Sequence, residues 1–245
     1  MTSDNADWTR LETIIVSTVR TSTHTRPDAG PPLVVLAAVS AGLLVAGLVT
    51  STVMAGETFP APSAAPEVVS AYFRANAAAV AVTAFFTFAS AVPLAIYAAT
   101  ASARLHTLGI RNPGATIALA GGVLAAGFLS LSGMVSWTLS RPEIPGDRAL
   151  VHALQGLSFM TGGLGHVVLL GLLLAGIAVP GLLAGLLPRW FAVTGIALAA
   201  VAELSTLALL LDPAMFLLPI ARFGGLLWLI AAGALLPRRR PAANA

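Results

Sequence analysis

Residues 202–225 read AELSTLALLLDPAMFLLPIARFGG and set one glutamate and one arginine on either side of an Asp-Pro step in an otherwise apolar run. From 190 to 236 the chain is apolar enough for two helices, and Asp212-Pro213 is its one good break. Aspartate favours the N-cap and proline the first helical position. The step therefore predicts a helical hairpin whose second arm starts at Asp212-Pro213. Each arm has the roughly 20 apolar residues that a bilayer span needs. Backbone facing hydrocarbon must satisfy its own hydrogen bonds, so both arms are expected to be helical.

Depth follows from counting. Glu203 lies nine residues before Asp212 and Arg222 nine after Pro213. At 1.5 Å per residue, both fall about 13 Å from the turn, on helices expected to be neighbours. A lone charge at that depth costs several kcal/mol, whereas a hydrogen-bonded pair is tolerable. Glu203 and Arg222 are accordingly expected to face inward and pair, either as a static strut or as the centre of a functional site. Gly195, Ala199, Glu203 and Thr206 recur at helical spacing on the first arm, and Pro219, Arg222 and Gly225 on the second. Pro219 is expected to free an acceptor at Met215 and kink the helix near Arg222.

The rest of the chain has the same character. Of 245 residues, 57% are hydrophobic and 9% charged, with a mean hydropathy of +0.89. Soluble domains carry about 25% charged residues. Four further apolar runs, at 31–55, 75–101, 114–140 and within 150–187, bring the expected spans to six. No period-two alternation argues for a β-barrel. The fold class is thus an all-α polytopic transmembrane bundle over 31–236.

Arginine asymmetry orients it. With the N-terminus cytoplasmic, the inner segments hold Arg10, Arg20, Arg26, Arg104, Arg111, Arg189, Arg238, Arg239 and Arg240, against Arg74, Arg141 and Arg148 outside. Both termini are therefore expected in the cytoplasm, at the cell membrane. Residues 1–30 place Trp8, Leu11, Ile15 and Val19 at helical spacing, as in a helix on the inner membrane surface, or form a loose tail. Residues 237–245 form a basic tail suited to anionic lipid. The 56–68 connection, GETFPAPSAAPEV, reads as extended. Trp8, Trp137 and Trp190 suit interfacial anchoring.

Several chemistries are excluded by composition. The chain has no cysteine, which removes thiolate nucleophiles, thiolate metal sites and c-type haem. It has no lysine, which removes Schiff-base chemistry and the Walker A loop. Net charge is only +3 and the arginines are scattered, so nucleic acid is not an expected partner. On the fourth span, His152, Gln155, Phe159, Gly163 and His166 follow helical spacing. Two histidines alone do not supply the ligands of a bis-histidine haem, because His24 and His106 lie outside the membrane. His166 with Glu203 lacks a third metal ligand. Neither cofactor nor metal is expected. Milder polar stripes are Asn76, Thr83, Thr87 and Ser90 on the second span, and Ser130, Ser132 and Trp137 on the third.

The candidate site is therefore an outer-half cluster of Glu203, Arg222, His166, Gln155 and His152 that binds a small ligand or relays protons. Two alternatives stand beside it. One is a membrane enzyme acting on a lipid or isoprenoid, with Glu203 or His166 as acid–base. The other is a scaffold for a membrane-protein partner or homo-oligomer, through faces such as Gly181 and Gly185. Membrane lipids are the remaining expected partners.

LPRWFAVTGIALAAVAEL at 187–204, LLWLIAAGALLPRRR at 226–240 and FRANAAAVAVTAFFTFASAVPLAIYAATASARLHTLG at 73–109 resemble a family of small bacterial integral membrane proteins, domain of unknown function 4386. The likeness covers roughly residues 70–240. It implies six helices and no established activity, cofactor or site residue.

Overall fold

The structure, a computed structural model, describes residues 30–61 and 64–237. The expected surface helix within 1–30 and the arginines at 238–240 lie outside the described residues. Helices α1 (Leu33–Ala55), α2 (Pro66–Ala75), α3 (Ala77–Thr107) and α4 (Gly114–Leu139) are followed by a long composite span. That span comprises α5 (Arg148–Phe159), a π-helical turn (Met160–Gly165) and α6 (His166–Leu183). Helix α7 (Arg189–Leu204) continues as a 3-10 turn over Ser205–Leu209. A second 3-10 turn over Asp212–Phe216 leads into α8 (Leu217–Leu235). No strand occurs among the described residues. Six segments are long and apolar enough to cross a membrane. The chain is an all-α bundle of an integral membrane protein.

The composite span is the most buried of the six and forms the centre. It packs on α4 and α7, α3 packs between α1 and α4, and α8 lies against both α1 and α7. Small residues set the spacing. A side chain on Gly176 would strike the Ala118 backbone, and one on Gly121 would strike the backbone of Leu173. Polar core groups are tied to backbone. Tyr97 Oη donates to Leu229 O at 3.0 Å, and Trp228 Nε1 to Phe191 O at 2.9 Å, with the Phe191 and Trp228 rings stacked. The outer surface is apolar, with Val35, Phe85, Ile117, Leu183 and Leu227 exposed on it. Such a surface suits hydrocarbon, where exposed apolar side chains carry no hydration penalty.

Several sequence expectations shift. The second span runs to Thr107 rather than 101, and the 56–68 connection gives way at Pro66 to the amphipathic α2. Asp212 does not cap an α-helix. It opens a 3-10 turn preceded by Leu211, and α8 starts five residues later. Pro219 therefore falls in the first turn of α8, where its missing N–H has no intrahelical partner to lose, so the expected kink has no cause. Gly181 packs on Leu187 of its own connection, and Gly185 takes a left-handed conformation (φ 63°) just beyond α6. Gly181 is thus packed within the chain, and Gly185 closes the end of α6. Trp137 and Trp190 are exposed near span ends, and Arg141 stacks on the Trp137 ring at 5.0 Å.

Candidate functional site

Polar residues from several spans converge at the bundle end that carries the 56–76, 140–147 and 210–212 connections. A cavity of about 480 Å³ opens there. Ser51 and Thr52 come from α1, Thr83 and Thr87 from α3, and Ser132 and Ser136 from α4. Gln155, Ser158 and Gly162 come from the composite span, and Arg222 from α8. Thr58, Phe59 and Pro60 of the first connection line it as well. Phe59 is held there by edge and tilted contacts with Phe73 and Tyr72 of α2. Outside the spans, burial and then the Glu57 carboxylate push the Tyr72 phenol above its ordinary pKa.

Serines knit the wall. Ser132 Oγ donates to Ser158 O at 2.9 Å, and the Ser136 and Ser158 hydroxyls lie 2.8 Å apart. Thr161 Oγ1 donates to Leu157 O at 2.7 Å as the π turn begins. A π turn withdraws carbonyls from the α ladder and is common at functional sites. Three glycines, Gly162, Gly163 and Gly165, lie within this one. Side chains at Gly162 and Gly165 would collide with Ser132 and Phe128 of α4, so the turn is pressed directly on its neighbour.

Arg222 is half-buried and its Nη2 donates to the carbonyl of Gly162. Its Nε is buried without a hydrogen-bond partner. Gln155, 3% exposed, donates from Nε2 to Pro60 O at 3.0 Å, while its Oε1 has no partner. Arg222 is the only charged side chain lining the cavity, and no carboxylate lines it among the described residues.

Glu203 and Arg222 do not pair, contrary to the expectation from depth. The Glu203 carboxyl leans on α6 beside Gly171, while Arg222 reaches Gly162. Those contacts are nine residues apart on one span, about 13 Å at an α-helical rise. Side-chain direction explains the separation. Every Cα–Cβ bond tilts toward its own helix N-terminus. On antiparallel arms, Arg222 therefore leans toward the 210–212 turn and Glu203 away from it. Glu203 is also exposed, because the buried face of α7 runs through Gly195, Ala199 and Ala202, one position aside.

The other expected members separate too. His166 is fully buried and does not line the cavity, with Nδ1 3.0 Å from Ala125 O and Nε2 unpartnered. His152 is exposed and is not among the residues that line the cavity. The π turn accounts for this, since each residue inserted into the repeat rotates everything after it by about 100°. His152 and His166 thus leave the common face that an unbroken helix would give them. The cavity brings together Gln155 and Arg222. Sequence reasoning passed over Ser158, the 58–60 strap and the Gly162 carbonyl. For the last of these, the signal was the glycine cluster MTGGLG at 160–165. No protein-family model, curated protein or solved structure matches the chain.

Proposed function

We propose that this chain is a multi-pass protein of a bacterial cell membrane, of the six-helix family it resembles, that binds a small ligand in the cavity around Gln155 and Arg222. The arginine asymmetry supports cytoplasmic termini and an outward-facing cavity end. One observation carries the binding reading. Polar groups from five helical segments converge on a space of ligand size, and Gln155, which lines it, keeps a buried Oε1 without a partner. Leaving such an atom unsatisfied costs about 1–3 kcal/mol, which a ligand donor offsets. A proton path has less support, because Glu203 and His152 stand apart from Arg222 and His166 does not line the cavity. Among the described residues no acid–base pair lines the cavity, so an enzymatic role has less support than ligand binding.

Gly163 provides the test. A first side-chain carbon there meets nothing closer than 3.8 Å, so Gly163→Leu puts bulk into the cavity without a backbone clash. Small molecules extracted from the purified wild type and identified by mass spectrometry should be missing from Gly163→Leu. Equal recovery from both proteins refutes the proposal.

A further inference from the structure

Resting on that reading, we infer that the ligand is an anionic amphiphile of the bilayer, an oxyanion head on an apolar chain, admitted between α1 and α8. The head is assigned by charge. Among the described residues, Arg222 supplies the cavity's one cation, with a buried Nε donor to spare and no lining carboxylate to neutralise it. A guanidinium in a low-dielectric site costs several kcal/mol unless an anion accompanies it. Guanidinium also favours carboxylate and phosphate oxygens over neutral acceptors. Gln155 Oε1 adds an acceptor, which suits a head that carries a hydroxyl beside its anionic oxygens.

The tail is assigned by the other walls. Leu44, Leu48, Leu129, Phe159, Leu218 and Phe223 line the same cavity. A soluble inorganic anion gains nothing from them, whereas an alkyl chain gains about 0.8 kcal/mol per buried methylene.

The route follows from two helices. Helices α1 and α8 touch where Gly233 meets Leu33 and Val34, at the end away from the cavity. Toward the other end, the cavity lies between Leu44 and Leu48 of α1 and Pro219 and Phe223 of α8. Leu48 is 42% exposed and Phe223 38% exposed, so both belong at once to the cavity and to the lipid-facing surface. A chain sliding between them stays in hydrocarbon while its head reaches Arg222.

The test uses full-length protein in a non-ionic detergent, titrated with lysophosphatidylglycerol, lysophosphatidylcholine and glycerol 3-phosphate. Calorimetry and thermal melts are the readouts, and the proteins are wild type, Arg222→Met, Arg222→Lys and Gly163→Leu. The anionic lysolipid should bind wild type about tenfold or more tighter than the zwitterionic one, and glycerol 3-phosphate should not bind. Arg222→Met should erase the preference, Arg222→Lys should keep part of it, and Gly163→Leu should weaken both lysolipids. Far-ultraviolet circular dichroism and gel filtration show whether each variant is folded; if Arg222→Met is not, Arg222→Lys and the wild-type preference decide. Equal binding of the two lysolipids by wild type, abolished by Gly163→Leu, overturns the anionic head and leaves the cavity reading standing. Glycerol 3-phosphate binding as tightly as the lysolipid overturns the amphiphile. Lysolipid binding indifferent to Gly163→Leu overturns the cavity reading and this inference with it.

Discussion

Arg222 donates to the carbonyl of Gly162, while Glu203 rests beside Gly171, nine residues further along the same span. The two charges flank one turn in sequence and serve separate heights in space. Groups more than about 7–10 Å apart with no shared partner contribute additively to stability. A double-mutant cycle of Glu203→Gln and Arg222→Met, read by denaturant unfolding in mixed micelles, should show coupling below about 0.5 kcal/mol. Coupling above about 1 kcal/mol would restore the paired hairpin.

Arg222 alone distinguishes a strut from a binding site. Breaking a buried structural ion pair costs about 3–5 kcal/mol. Here the guanidinium holds one carbonyl and keeps a buried N–H unpaired, so methionine removes a desolvation cost together with one hydrogen bond. Arg222→Met should therefore lose at most about 1 kcal/mol of stability, since a charged hydrogen bond and its desolvation nearly offset. A loss of several kcal/mol in the same unfolding experiment would make Arg222 a structural post.

The π turn makes a steric prediction. Alanine at Gly162 meets Ser132, and alanine at Gly165 meets the Phe128 ring. Overpacking of this kind costs about 1–3 kcal/mol. Gly127 has nothing within 4 Å of an added carbon, so Gly127→Ala should be neutral or stabilising. Thermal melts of the three variants check the order. Equal midpoints would mean that α4 does not press on the turn.

The spans were legible because the signal is cumulative. About twenty apolar residues have few other places to go, and all six runs appear where expected, the second extended by six residues to Thr107. Gln155, Arg222, Thr83, Thr87 and Ser132 were legible for the complementary reason: a polar side chain in such a run needs an interior, and each lines the cavity. What failed was geometry inferred from an ideal helix. Cα depth said nothing of the opposite lean of Glu203 and Arg222. An unbroken 3.6-residue period hid the turn that separates His152 from His166. Prolines at 60, 62 and 66 pointed to an extended connection, but a proline in the first turn is also a good helix start, and α2 begins on one.

Orientation rests on the arginine count and is open to a direct measurement. Arg111 lies in the connection between α3 and α4, and Glu143 in that between α4 and α5; both are exposed. Helix α4 is 26 residues long, about 39 Å at an α-helical rise, so the two positions belong on opposite sides of a bilayer. The chain has no cysteine, so Arg111→Cys and Glu143→Cys each carry a single thiol. With the N-terminus cytoplasmic, a membrane-impermeant maleimide should label Glu143→Cys in intact cells and Arg111→Cys only after the membrane is opened. The reverse pattern would invert the topology and turn the cavity end toward the cytoplasm. Equal labelling of both thiols in intact cells would mean that α4 does not cross the membrane at all.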